Sequence, residues 1–378
     1  MEHRHTKGDK TKRVKRVRDF ARSALKQLKT TTLFKLLPPQ SFKTLLEARG
    51  DYLTRLGNQG RKTLKGLKNL SPEKVRQTIQ GLGKKTLRDT REKRVAIDFH
   101  TIPQYHKDKT MLTKTRPTKG TTWGLGQATL FLLGRKQAFL DVLPITTKNI
   151  AETFKNTMQT FTKEIHKYQL KLVTLFADKE FAVNEVVKYL VDLRIDFVIP
   201  AKHQMYKEYL GKLEEVDIQY AGVRYTGFLC VGHVSGAHLV VLRKESSKGD
   251  KVLAFLVRGE VDVHGAVILA EEYRGRWGIE NAFRSLEEFR GRTRTCDVRK
   301  ELTLVLLSYL VLNLWFSVRS WVKVKLWVFC ESLAGLLDLE GIKGLGVLHK
   351  SVLGLLGSFT GSELALCTSF YPREINCK

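Results

Sequence analysis

Cysteine is scarce in this 378-residue chain: Cys230, Cys296, Cys330, Cys367 and Cys377 make an odd five, and no two stand at metal-ligand spacing. That pattern excludes a disulfide framework and a cysteine-built zinc site, and it points to a reducing, cytoplasmic compartment. Long apolar runs are lacking as well. Residues 302–318 are the one charge-free stretch with the look of a membrane span, and they number 17. At ~1.5 Å per residue they reach about 26 Å, short of a ~30 Å hydrocarbon layer. The stretch also carries Ser308, Tyr309 and Asn313, so a buried core helix is expected and no membrane. The opening residues, Met1 to His5, are charged and hold no apolar h-region, so no secretory signal is expected. The ten histidines include no His-Glu-x-x-His pair, which makes His100 and His106 local polar residues rather than ligands.

Acidic residues are outnumbered, 38 Asp and Glu against 66 Lys and Arg, for a net charge of +28. A polyanionic partner is the natural inference. The surplus is uneven: residues 1–94 hold 27 Lys and Arg against 8 Asp and Glu, a surplus of 19. This favours a nucleic-acid-binding module in residues 1–90 over a generally basic surface, with a ribosomal-type or merely solubilising basic tail as the alternative. Within residues 15–34, Val17, Phe20, Ala21, Ala24, Leu25 and Leu28 recur at helical spacing against a basic face. A second helix comes after Pro38-Pro39 and carries Phe42, Leu45 and Leu46. A third starts at Ser71-Pro72 and ends at Gly81 or Gly83. Membrane-surface binding is the rival reading of the first helix, weakened by an apolar face with Phe20 as its only bulky aromatic.

From Arg94 the pattern changes. Residues 95–99 form a short apolar strand containing Asp98. Residues 128–133 and 138–143 are strands joined by a hairpin at Gly134, and residues 149–168 are a helix. A strand over 172–177 ends at Asp178, a helix covers 180–194 and a strand 197–200. Three strands, then helix, strand, helix, strand is the order of a ribonuclease-H-like α/β fold, a mixed sheet with helices on both faces. The expected division is a catalytic core over 91–202 and 266–330, interrupted by a β-rich insertion at 203–265, and a helical tail at 331–378.

Residues 271–290 say most about function. Read as one helix, they put Tyr273, Arg276, Glu280, Arg284 and Glu287 in a single stripe beside an apolar stripe of Ile279, Phe283 and Leu286. The polar stripe suits a surface that holds a phosphate backbone, or a solvated face with Glu–Arg pairs worth ~0.2–0.5 kcal/mol each. Asp98, Asp178 and Glu280 are far apart in the chain, so only folding brings them together. At ~5 Å and an effective dielectric of 20 each carboxylate pair repels by roughly 3 kcal/mol. A cluster therefore raises its pKa values or takes up hard cations such as Mg²⁺ or Mn²⁺. Taken singly, Asp98 reads equally as a structural carboxylate and Asp178 as a helix cap.

Ala96-Ile-Asp98-Phe-His100, Leu175-Phe-Ala-Asp178-Lys-Glu-Phe181 and Tyr273…Arg276…Glu280 resemble, in order and spacing, the three acidic blocks of DDE-type transposases of the insertion-sequence 4 superfamily. Thr293-Arg-Thr295 and Asn313-Leu-Trp315 resemble the segments downstream of the glutamate in those enzymes. The resemblance covers residues 94–318 and implies a cut-and-paste DNA transposase. Asp98, Asp178 and Glu280 would be the catalytic carboxylates, holding two Mg²⁺ or Mn²⁺ ions. Tyr273 and Arg276 would hold phosphates of the transposon end, and Trp277 would stack on a base or pack into the core. The family's lysine falls on Glu287, which leaves Arg284 or Arg290 to replace it. Double-stranded DNA, as terminal repeats and as target, is the implied partner, with a homodimer pairing two ends. The competing readings are a ribonuclease-H-like nuclease without strand transfer and a DNA-binding protein without catalysis.

Overall fold

The computed structural model describes residues 19, 21–26, 37–48, 50–91, 93–146, 149–168, 173–247, 249–293, 297–319 and 324–343. They fall into two compact units, Met1–Thr78 with Ser285–Lys378, and Ile79–Arg284. In chain order the helices are α1 (Pro39–Ala48), α2 (Gly57–Gly66), α3 (Pro72–Arg88), α4 (Ile150–Tyr168), α5 (Asn184–Asp192), α6 (His203–Tyr206), α7 (Val263–Arg274), α8 (Trp277–Phe289), α9 (Val298–Arg319) and α10 (Leu326–Lys343). The strands are β1 (Lys93–Pro103), β2 (Thr113–Thr118), β3 (Thr121–Leu132), β4 (Ala138–Ile145), β5 (Val173–Ala177), β6 (Asp196–Pro200), β7 (Glu214–Tyr220), β8 (Val223–Gly232), β9 (Ala237–Lys244) and β10 (Lys251–Arg258).

In the first unit, α1 starts with Pro39, which needs no hydrogen bond there, and buries Phe42, Leu45 and Leu46. It lies against α10, where Lys43 and Asp338 pair at 2.7 Å. The N-terminal helices therefore share a core with the C-terminal ones. Of the basic helix expected at 15–34, only 19 and 21–26 are described; they are helical, and Ala21, Ala24 and Leu25 are buried. The apolar helix α9 includes Val298–Ser317, the one described helix long and apolar enough to span a membrane, with 89% of its apolar window buried inside the protein. A helix apolar on all sides is stable when protein covers it all round.

The second unit is built on a ten-stranded sheet of order β2-β3-β1-β5-β6-β10-β9-β8-β7, with β4 paired to the remaining length of the β3 edge. β1, β5 and β6 are parallel, and the other pairs are antiparallel. Counted from β4, the first five strands run β4-β3-β1-β5-β6, which is the ribonuclease-H-like arrangement of a mixed sheet. β7–β10, in the expected insertion, continue that sheet through the β6–β10 pairing.

Strand alternation assigns the faces. Val95 and Ile97 of β1 and Leu175 and Ala177 of β5 join one apolar cluster with Phe154, Met158, Phe161 of α4 and Val186, Leu190 of α5. The alternate residues of β1, Ala96, Asp98 and His100, therefore face the other side, where His100 stacks on Phe283 of α8 at 4.5 Å. Phe176 of β5 likewise faces Tyr273, with ring centroids 6.4 Å apart. Burying a Phe such as the fully covered Phe154 contributes ~1.5–3 kcal/mol, so the α4/α5 side anchors the strands that present the opposite face.

Two expectations need correction. α3 does not stop at Gly81 or Gly83 but runs to Arg88. A Cβ on Gly83 would lie 2.4 Å from the Phe139 carbonyl oxygen, so this glycine permits close packing on β4 and does not end a helix. The stretch 271–290 is not one helix: α7 ends at Arg274 and α8 begins at Trp277. Between them the chain tightens into three-residue turns, with Arg276 N–H bonded to Tyr273 O and Ile279 N–H to Arg276 O.

Candidate active site at the rim of the central strands

The parallel register pairs Ile97 of β1 with Ala177 of β5. Asp98 and Asp178 each come one residue later, at the same level of the sheet and on the face that carries α7 and α8. Asp98 lies inside β1, its backbone carbonyl accepting from Thr129 Oγ1 at 3.1 Å. Its Oδ1 accepts from the Phe99 N–H at 2.8 Å, which fixes the carboxylate's orientation. Asp178 precedes a short 3-10 turn, Lys179–Phe181, and makes no side-chain cap to it. The capping explanation for this aspartate therefore fails.

The break between α7 and α8 delivers the third member. Arg276, at that break, is 8% exposed. Its guanidinium donates to Asp98 Oδ2 at 2.8 Å and to Glu280 Oε1 at 2.6 Å. One cation thus joins the carboxylate of β1 to the carboxylate in the first turn of α8, where the helix dipole also favours negative charge. Burial, assisted by repulsion from Asp178, pushes the Asp98 carboxyl up to about 6 against the pull of Arg276. Arg276 Nε is buried without a hydrogen-bond partner. A buried donor left unsatisfied costs roughly 1–3 kcal/mol, so a bound oxygen ligand would improve this arrangement.

Tyr273 sits behind the arginine. Its ring is 5.6 Å from the Arg276 guanidinium carbon, and its hydroxyl donates to the Ala177 carbonyl at 3.4 Å, beside Asp178. Burial holds its phenol well above the ordinary tyrosine pKa. Gly278 lets the start of α8 approach the sheet: a Cβ there would meet Leu133 Cδ2 at 3.0 Å. The buried face of α8 holds Ile279, Ala282 and Phe283, while Trp277, Asn281 and Arg284 lie exposed on its outer face. Trp277 is 55% exposed, so it does not pack into the core.

Arg290, expected from its position in the sequence as a DNA-facing replacement for the missing lysine, is 7% exposed. It pairs with Glu301 at 2.6 Å and with Glu287 at 3.5 Å. A guanidinium enclosed by two carboxylates is not presented to a polyanion, which removes Arg290 as the substitute for the lysine, whereas Arg284 is exposed. Of the residues expected downstream of the glutamate, Arg294 and Thr295 lie outside those described. Asn313 and Trp315 are buried in α9, the indole bonding to Val324 O at 2.9 Å. The Arg276–Glu280 half of this grip has the four-residue spacing of a helical Glu–Arg pair, but no pattern in the chain announced the half that reaches Asp98.

Among the described residues no three His, Cys, Asp or Glu side chains converge closely enough to hold a metal ion. The donor set still fits a hard divalent cation. It offers oxygen atoms alone, and Asp98 and Asp178 are near enough to repel, a repulsion that a bound cation would relieve.

Sheet order and carboxylate rim define an α/β protein of ribonuclease-H-like fold with an acidic site on the face carrying α7 and α8. Residues 89–314 match the family described as "Transposase DDE domain", and the chain belongs to that family. It is also similar to a solved structure of the piggyBac transposase synaptic complex with hairpin DNA, at 10% identity and a TM-score of 0.48. The similarity covers 76% of this chain and 59% of that one, so the chain spans about three-fifths of its solved relative. No curated protein matches the chain.

Proposed function

We propose that the chain is a DNA transposase of the insertion-sequence 4 type, which cleaves phosphodiesters at the ends of an insertion sequence and joins the freed ends to target DNA by in-line attack. Asp98, Asp178 and Glu280 are its catalytic carboxylates and would hold two Mg²⁺ or Mn²⁺ ions. The observation that carries this reading is the shared grip of Arg276 on Asp98 and Glu280, with Asp178 close enough to raise the Asp98 pKa. Such ions, when bound, supply activation of the attacking oxygen and stabilisation of the leaving one. The chain's own residues set the frame. The Phe99 N–H fixes Asp98, Tyr273 supports Arg276 from behind, and Arg276 holds the carboxylates together against their repulsion. Trp277 and Arg284, on the wet face of α8, meet the DNA strand that enters. Joining two ends calls for at least two copies of the chain, and the working compartment is the cytoplasm, on the nucleoid.

The test uses the purified chain, Mg²⁺ and a duplex bearing the inverted repeats found by sequencing the DNA that flanks the gene. Cleavage at the repeat boundary and a joined product are expected. Hydrolysis with no joined product would make the chain a nuclease, and binding without cleavage in either Mg²⁺ or Mn²⁺ would make it a DNA-binding protein alone.

A second outcome concerns Trp277. An exposed side chain contributes little to the fold, so Trp277→Ala should change stability in urea by no more than about 0.5 kcal/mol. Loss of base stacking should weaken binding to an end with unpaired flanking bases by ~1–3 kcal/mol, read by fluorescence anisotropy. Unfolding at markedly lower urea would contradict the exposed position.

A further inference from the structure

A second charged surface lies beyond the acidic site in the same unit. β1 does not end at Asp98 but continues to Pro103, and β3 runs back beside it from Thr121. Between them, residues 104–120 form a loop and the strand β2, which closes on β3 in a two-residue turn with Thr118 opposite Thr121. Lys119 and Gly120 at its tip have φ of 51° and 77°, the left-handed pair that matches the twist of a tight hairpin. The Tyr105 hydroxyl donates to the Lys119 carbonyl and ties the loop to the tip.

The charge on this hairpin is one-sided. Residues 103–123 hold five Lys and Arg against the single acid Asp108. Asp108 is engaged locally, accepting from Thr110 N–H and Oγ1 at 2.9 and 2.8 Å. Lys109 folds over the Trp123 ring at 5.6 Å. Lys107, Lys114, Arg116 and Lys119 are exposed. Tyr105, at 68%, is the most exposed large apolar side chain among the described residues. Charged side chains or a proline guard an edge strand against aggregation, and Pro117 already serves that purpose. Four outward cations around an exposed aromatic ring, on a braced turn, are more than that purpose requires.

We infer that this hairpin is a DNA-tracking arm: it grips the phosphate backbone of duplex DNA on the flank of the strand that enters the acidic site. The choice of DNA as the polyanion rests on the transposase reading. Eight residues separate the level of Asp98 from the tip, five along β1 and three along β3. At ~3.3 Å per residue that is about 26 Å, or roughly eight nucleotide steps of ~3.4 Å.

The experiment compares the full chain with the triple variant Lys107→Gln, Lys114→Gln, Lys119→Gln, and with a control triple elsewhere on the unit, Lys188→Gln, Lys207→Gln, Lys251→Gln, all exposed. Binding to a 40-base-pair duplex of mixed sequence is monitored by anisotropy from low to high KCl. Each lost phosphate contact flattens the slope of log K on log salt by ~0.9, so the hairpin variant should lose roughly 2–3 and the control less than about 1. An unchanged slope for the hairpin variant, or an equal loss in the control, overturns the inference. So does a loss confined to duplex RNA. The binding readout does not depend on catalysis. Failure of the wild-type chain to cleave repeat ends would count against the transposase reading while the slopes still decide the arm. With a cleaving wild type, the hairpin variant should cut an end with ten or more flanking nucleotides at least tenfold more slowly and an end with four at the normal rate. Equal slowing on both ends would place the defect in the acidic site.

Discussion

Asp98→Asn should abolish cleavage, by a hundredfold to a thousandfold or more, while end binding stays within about twofold; removing one preorganised charged group from a reacting centre has effects of about this order. Asparagine keeps the size of the side chain and an oxygen toward the Phe99 N–H, so the local strand survives. It loses the charge that pairs with Arg276 at 2.8 Å. The same variant also tests the electrostatics of the carboxylate cluster. In the folded chain burial, then Asp178, raises the Asp98 carboxyl from 3.8 to about 6. A raised acid favours the folded state in its protonated form. Its contribution is therefore fully present below about pH 3.8 and is lost as pH rises through about 6. With chelator present, wild-type stability should fall relative to Asp98→Asn across that window, measured by urea denaturation at stepped pH. A constant difference between the two proteins from pH 4 to 7 would mean that Asp98 is not held in a raised state, and the cluster would lose its electrostatic support.

The residues that could be located from sequence were those whose side chains alternate or recur with a fixed period. β1 and β5 were legible because Val95, Ile97, Leu175 and Ala177 are apolar runs packed under α4 and α5, and their ends point to Asp98 and Asp178. β2, Thr-Lys-Thr-Arg-Pro-Thr, was not legible. Among the described residues its one buried side chain is the polar Thr113, so no apolar face imposes alternation, and its proline speaks against a strand. β7, Glu-Glu-Val-Asp-Ile-Gln-Tyr, is hidden for the same reason at the opposite edge. α2 opens with Gly-Asn-Gln-Gly and buries only Gly60 and Thr63, so no apolar stripe announces it. Partner choice was the least legible feature. Nothing in the spacing of Arg276 or Arg290 tells which turns inward, because that depends on Asp98, 178 positions away, and on Glu301 across a chain reversal.

Arg276→Ala should have the largest effect on stability. In the described structure this arginine is the only side chain that bonds both Asp98 and Glu280, and it also feels the charge of Asp178. Removing one partner of a buried ion pair leaves uncompensated charge and costs ~3–5 kcal/mol. For a unit of about 200 residues each kcal/mol shifts Tm by roughly 2–4 °C, so a loss on the order of 10 °C is expected in chelator. Mg²⁺ or Mn²⁺ should then return more stability to the variant than to the wild type, since the ion no longer competes with a resident cation for the same oxygens. A variant that melts with the wild type in chelator, or gains no more from metal, would remove Arg276 as the counter-charge of the cluster. DNA adds a separate readout. An arginine 8% exposed, its two terminal nitrogens bonded to carboxylates, presents little of its guanidinium to a phosphate as it stands. If its loss nevertheless flattens the salt slope of end binding by about one, the guanidinium must leave Asp98 and Glu280 when DNA arrives, and the same movement would open the carboxylates to metal.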